Sequence, residues 1–161
     1  MRFTIPTGRS LPALAAAIMA SAFLAAMVAL PQTARADEQT VTQMLTVLTA
    51  SDSETQAMAL VLSNQAAGKG SQVDLLLCGA AGDIALDTPP PAATETITPT
   101  GMTVRSLLEA LMAKGATVEV CAIYLPNRTL EAEALMPGVG VAKPPMVAAR
   151  MIDPAYRLFT F

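Results

Sequence analysis

The sequence predicts an α/β domain built on a parallel sheet, and three observations carry that reading. Five short apolar runs (Met44–Thr49, Val73–Cys78, Thr117–Leu125, Val139–Ala142 and Tyr156–Phe161) alternate with segments of helical pattern. The runs are continuous rather than alternating, which suits strands covered on both faces. Two of the intervening segments end in the same Lys-Gly pair, at Lys69-Gly70 and Lys114-Gly115, where glycine serves as a left-handed helix stop. Strand–helix–strand order of this kind calls for right-handed crossovers.

Each element has a local reason. Met44 to Thr49 is rich in β-formers. Ser51-Asp52-Ser53-Glu54-Thr55-Gln56 is dense in capping residues, and Ser53 with Gln56 fits a capping box. Met58, Val61, Leu62 and Ala66 follow at i, i+3, i+4 and i+8, which predicts the buried stripe of a first helix. Gly79 to Gly82 reads as a small-residue turn after the second strand. Residues 87–101, with Pro89-Pro90-Pro91, form the one long loop, a lid, an interface segment or a solvated excursion. Thr103 caps a second helix whose inner face is Val104, Leu107, Leu108, Leu111 and Met112. After the third strand the spacing predicts a short helix over Leu130–Met136. A brief fourth strand then ends at Pro144-Pro145, a helix covers Val147–Ile152, and the last strand closes the chain. Ligands of such sheets meet the carboxyl ends of the strands. Residues 49–53, 78–83, 122–128 and 142–145 should lie there.

The first 36 residues read as a signal peptide. Arg2 and Arg9 precede the apolar run Leu11–Leu30, and Ala34-Arg35-Ala36 is a small-x-small cleavage pattern. The run, at about 20 residues, is also long enough for an anchor, but no basic stop-transfer cluster follows it. Cleavage after Ala36 leaves a polar lead-in at 37–43 and one domain at 44–161, with no membrane segment, exported to an oxidising compartment such as a bacterial periplasm. Removing Arg2, Arg9 and Arg35 leaves seven Lys and Arg against 13 Asp and Glu, a net charge of −6. No basic stripe is present to release counterions from phosphate, so a nucleic-acid partner is not expected.

The chemistry available is narrow. The chain has no histidine and two cysteines. Seven methionines lie beyond the signal segment, scattered without a Met-x-x-Met run, so packing accounts for them and no metal site is expected. Cys121, at a strand end after Val118-Glu119-Val120, is the candidate catalytic thiol. Arg128 and the helix start after it could lower its pKa, and burial as a small hydrophobe is the alternative. Cys78 ends the neighbouring strand. It reads first as core filler, with a Cys78–Cys121 disulfide open if the two fall in register. Ser51, Asp52, Asp83, Asn127 and Arg128 are candidate pocket residues on the same sheet edge. For Ser51 and Asp52 helix capping is the competing reading, and for Asp83 simple solvation is.

Four stretches carry a family resemblance. They are Val47-Leu48-Thr49-Ala50-Ser51-Asp52, Asp74-Leu75-Leu76-Leu77-Cys78, the Gly101-Met102 helix ending at Lys114-Gly115, and Val118-Glu119-Val120-Cys121. Together they make residues 44–161 resemble the DsrE/DsrF family, the YchN-like fold, and in particular its exported branch. The resemblance implies a three-layer α/β/α domain with a five-stranded parallel sheet in order 4-3-2-1-5. It also implies a small homo-oligomer, and sulfur transfer through a cysteine would call for no metal or organic cofactor. The Cys ending Val-x-Val-Cys carries sulfur in active members, a role that maps onto Cys121. Sulfur-transfer members often place Arg-Gly a few residues later, whereas here Arg128 is followed by Thr129.

Three functional readings follow. In the first, an exported protein handles sulfur or thiols, carrying a persulfide on Cys121 between a sulfane-sulfur donor and an acceptor thiol. In the second, a binding or assembly module keeps the fold without the chemistry. In the third, the Cys78–Cys121 pair cycles between thiols and disulfide.

Overall fold

The computed structural model describes residues 42–99 and 101–161. The expected signal peptide at 1–36, its cleavage site and the lead-in up to residue 41 lie outside the described residues. The elements are β1 (Gln43–Leu48), α1 (Ser53–Gly68), β2 (Gln72–Leu77), β3 (Thr96–Ile97), β4 (Met102–Thr103), α2 (Val104–Ala113), β5 (Thr117–Val120), β6 (Val139–Val141), α3 (Pro144–Ile152) and β7 (Tyr156–Thr160). Short 3-10 turns occupy Gly79–Ala85, Pro91–Ala93, Pro126–Arg128 and Ala132–Ala134. Five strands form one parallel sheet in the order β6-β5-β2-β1-β7, which is 4-3-2-1-5 among the five expected strands. The small antiparallel pair β3–β4 lies within and just beyond the long loop.

Side chains alternate across this sheet and sort the molecule into layers. Met44, Leu48, Val73, Leu75, Leu77, Val118 and Val120 face α1 and α2 and make the main core with Leu60, Val104, Leu107, Leu108 and Leu111. Leu45 and Leu76 face the other way, towards Val147 of α3. Val104, Leu107, Leu108 and Leu111 of the expected α2 stripe are buried and Met112 is partly so, and Thr103 closes a capping box with Ser106.

The inner face of α1 corrects the sequence reading. Met58 and Leu62 are exposed, while Gln56, Leu60, Ser63 and Asn64 are buried. Their polar groups are all partnered. Gln56 Nε2 donates to Ala50 O at 2.8 Å, Thr46 Oγ1 and Ser63 Oγ share a bond of 3.2 Å, and Asn64 Nδ2 donates to Leu107 O of α2 at 2.9 Å. Lys114 Nζ donates back to Asn64 Oδ1 at 2.9 Å. A satisfied polar side chain can sit in a core, and Met58 and Leu62 then turn outward. The cap is also one residue earlier than expected: Asp52 Oδ1 accepts from Thr55 N at 2.8 Å.

Four further expectations change. Residues 130–136 form no α-helix, because Asp87 N bonds to Ala134 O and Met136 N to Ala85 O, drawing the segment into extended contact with residues 85–87. The third strand stops at Val120, and Tyr124 and Leu125 turn inward to the main core. Pro144-Pro145 opens α3 instead of ending β6, since a first helical turn has no use for the missing N–H. Burial on both faces holds for β2 but not for the outer strands, where β6 and β7 are largely exposed.

Candidate functional site

The carboxyl edge of the sheet gathers the loops that follow β1, β2, β5 and β6. Cys78 is the first residue past β2 and Cys121 the first past β5. Leu77 pairs with Val120, so the next pair in register is Cys78 with Cys121. Backbone bonds hold both in place: Cys78 N donates to Leu48 O at 2.9 Å and Cys121 N to Leu77 O at 2.8 Å. Their Cα atoms are 5.1 Å apart, within disulfide reach, and the two are bonded as a disulfide. Cys78 is therefore not core filler. Neither thiol is free. Both cysteines continue the strand alternation onto the α3 face.

A cavity of about 310 Å³ opens on that face, along α3 from Pro144 to Met151. Leu76, Ala142, Pro144, Val147, Ala148 and Met151 form most of its wall, and Cys121, Ala122 and Ile123 complete it. Cys78 is not among the lining residues. Every lining side chain apart from Cys121 is a hydrocarbon or, at Met151, a thioether. Ile123 is 70% exposed and Ala148 is also exposed.

The expected pocket residues divide. Asp83 and Arg128 do come together: Arg128 Nε donates to Asp83 Oδ1 at 2.9 Å, and Arg128 Nη2 donates to Gly79 O at 3.0 Å. The guanidinium lies 4.2 Å from the centroid of the Tyr124 ring, and Tyr124 Oη donates to the same Asp83 oxygen at 2.9 Å. Burial, then the bond to Asp83, pushes the Tyr124 hydroxyl well above its usual value. The ring is packed so closely over Gly82 that a β-carbon there would overlap it. Arg128 is thus bound into a clamp joining the loops after β2 and β5. Thr129 follows at φ +54°, the left-handed region that a β-branched residue seldom adopts. Arg128 is thus followed by a left-handed threonine and not by the glycine that the resemblance expects.

Ser51 is exposed, Asp52 caps α1, and Asn127 Nδ2 donates to Ile123 O at 2.8 Å. The backbone N–H of Thr55 holds the Asp52 carboxyl below its ordinary value. None of these three lines the cavity beside Cys121.

A second cluster went unread in the sequence. Asp74 of β2 and Glu119 of β5 both face α3, and one arginine bridges them. Arg150 Nη1 reaches Asp74 Oδ2 at 3.1 Å and Arg150 Nη2 reaches Glu119 Oε2 at 2.6 Å. Tyr156 Oη donates to Asp74 Oδ2 at 3.1 Å. Burial works against the Arg150 cation, but the hydrogen bonds to Glu119 and Asp74 outweigh it and raise its pKa. Burial and the Asp74 bond likewise raise Tyr156. The signal available was one carboxylate in each of two otherwise apolar strands, four residues before Cys78 and two before Cys121. Its partner lies 76 positions from Asp74.

No family model and no curated protein matches the sequence. Solved structures do. The ychN protein of E. coli superposes with a TM-score of 0.59 at 20% identity, over 74% of this chain and 99% of that one. MTH1491, a protein of unknown function from Methanobacterium thermoautotrophicum, gives 0.54 at 10% identity over 74% and 98%. BT1422, a conserved protein of unknown function from Bacteroides thetaiotaomicron, gives 0.52 at 15% over 73% and 94%. Together with the 4-3-2-1-5 parallel sheet, these likenesses establish that the chain has the YchN-like, DsrE-type fold.

Proposed function

We propose that this domain handles thiols and sulfane sulfur at Cys121, with Cys78 as the partner thiol. One observation carries the reading: the Cys78–Cys121 disulfide sits at the carboxyl edge of the sheet, and Cys121, but not Cys78, lines the cavity beneath α3. The cycle starts from the disulfide. A reducing dithiol opens it, is itself oxidised to a disulfide, and leaves two thiols on the protein. The Cys121 thiolate then attacks the outer sulfur of a donor persulfide. The donor S–S bond breaks, the donor thiolate leaves, and Cys121 holds the persulfide. An acceptor thiolate takes the outer sulfur by the same displacement. Without an acceptor, the Cys78 thiolate attacks the inner sulfur, hydrosulfide leaves, and the disulfide is restored.

The test is intact mass of the reduced protein after exposure to a persulfide donor. Wild type should gain one sulfur atom transiently, Cys78→Ser should hold it longer, and Cys121→Ser should not gain it. Sulfur transfer that is unchanged in Cys121→Ser would sink the reading.

A second reading is a binding or assembly module in which the disulfide is a structural staple. The commitment of Arg128 to Asp83 and Tyr124, rather than to a thiolate, favours it. It predicts that neither sulfur reacts until the protein unfolds. Under both readings we place the domain in the periplasm, after cleavage behind Ala36, as a homo-oligomer. The basis for export is the Arg-apolar-Ala-x-Ala leader. The basis for assembly is the apolar surface at Ile152, Leu158 and Phe159, along α3 and the edge strand β7. Size-exclusion chromatography with light scattering and N-terminal sequencing of exported material test the two points.

A further inference from the structure

We infer that the cavity beside Cys121 seats the hydrocarbon part of a small uncharged thiol, which attacks Cys121 and expels Cys78 as the leaving thiolate. The inference rests on the thiol-handling reading and names its substrate class.

The wall chemistry selects the occupant. No charged side chain lines the cavity. Of the charged groups nearby, Asp74, Glu119 and Arg150 are bonded to one another, and Lys143, exposed between the wall residues Ala142 and Pro144, does not itself line the cavity. A thiol bearing carboxylate or ammonium groups would have to desolvate them against Leu76, Val147 and Met151 with no partner offered, at a cost no hydrocarbon contact repays. An alkyl chain incurs no such cost and gains from each methylene it buries. The volume, about 310 Å³, is at the small end of ligand pockets, which suits a short chain and not a peptide segment.

The position of the disulfide sets the direction of attack. Cys121 lines the cavity and Cys78 does not, so a seated thiolate meets the Cys121 sulfur. A new S–S bond forms between ligand and Cys121, the Cys78–Cys121 bond breaks, and its electron pair leaves on Cys78. A second ligand thiolate attacking the ligand sulfur of the mixed disulfide releases the dialkyl disulfide and frees Cys121. Two thiols are oxidised and one protein disulfide is reduced, with no further oxidant needed.

The experiment follows disulfide opening in the oxidised protein with straight-chain alkanethiols of increasing length. Thiols of the same length ending in a carboxylate or an ammonium serve as controls, with rates corrected for thiolate fraction. Adducts are located by peptide mass mapping. The rate should rise about fourfold per methylene until the cavity is full, the charged series should stay flat, and the adduct should be on Cys121. Ala148→Phe, which fills the cavity from an exposed wall position, should abolish the rise of rate with chain length. A wild-type rate independent of chain length, equal rates for the charged series, or an adduct on Cys78 would overturn the inference while leaving the thiol reading intact. A disulfide that resists even dithiothreitol in the native state would overturn both.

Discussion

The two faces of the sheet are built on different principles. The α1/α2 face is closed by hydrocarbon: Leu60, Leu108, Leu111, Val73 and Val118 are essentially inaccessible, and buried polar groups there are satisfied internally. The α3 face has few such contacts. No residue of α3 itself is fully buried. It is held by Arg150 across Asp74 and Glu119, by Tyr156 on Asp74, and by Val147 over Leu45 and Leu76. The difference teaches where the fold can accommodate chemistry. A face fastened by a few directional bonds leaves room for a cavity and a disulfide, whereas a close-packed face does not.

Perturbations on the two faces should separate accordingly, and the largest concerns the disulfide. It closes a loop with a sequence separation of 43, and its loss should cost about 4 kcal/mol in the loop-entropy picture. Urea unfolding with and without reductant, compared with the Cys78→Ser/Cys121→Ser double variant, measures this. The comparison sharpens if hydrogen exchange on reduction quickens on the α3 face and leaves α2 protected. Next comes Leu108→Ala on the closed face, which should cost roughly 3 kcal/mol through cavity formation. Val147→Ala, on the half-buried side, should cost well under half of that. Equal losses would erase the contrast between the faces.

Arg150→Ala should cost about 2 kcal/mol, because it strands two largely buried carboxylates without their cation. Arg150→Lys should recover only part, since an ammonium cannot present two forked donors. A smaller effect is read on the alkaline side. Each face holds one tyrosine whose hydroxyl is raised by burial and a carboxylate, Tyr124 on the closed face and Tyr156 on the other. Folding therefore favours the protonated phenols. Their contribution is complete below the unfolded value of about 10 and is lost as pH climbs from there towards the folded values. Stability should fall above about pH 10, and Tyr124→Phe should flatten that fall more than Tyr156→Phe. The smallest change is a gain. Thr129→Gly should stabilise by roughly 1 kcal/mol by relieving the left-handed backbone at φ +54°. No gain in melting temperature would count against strain at that turn.

The closed face was legible in the sequence because apolar spacing records it. The five strands, the α2 stripe with its Thr103 cap and the sheet order all follow from runs of Leu and Val and from the family likeness. The α1 stripe misled because periodicity scores Met58 and Leu62 as core and Gln56, Ser63 and Asn64 as surface. The partners that reverse those assignments come from Ala50, Thr46 and Leu107, which only tertiary structure supplies. The helix expected at 130–136 failed for the same reason, its backbone being claimed by residues 85–87. In the site, the register of Cys78 and Cys121 was visible as an open alternative. Arg128 and Asp83 were placed on the right edge, but their mutual engagement, and the Asp74–Arg150–Glu119 bridge, join distant parts of the chain that no local pattern connects.

The place of β7 carries a kinetic consequence. It pairs with β1 along Gln43–Val47, and Phe161 N bonds to Val47 O while Thr49 N bonds to Phe161 O. The first and last strands of the sheet are thus neighbours, so one side of β1 stays unpaired until the C-terminal strand docks. Such long-range pairing slows folding and leaves a strand edge open while it proceeds. Until β7 docks, the edge of Gln43–Val47 that it covers is the part of the sheet open to mispairing.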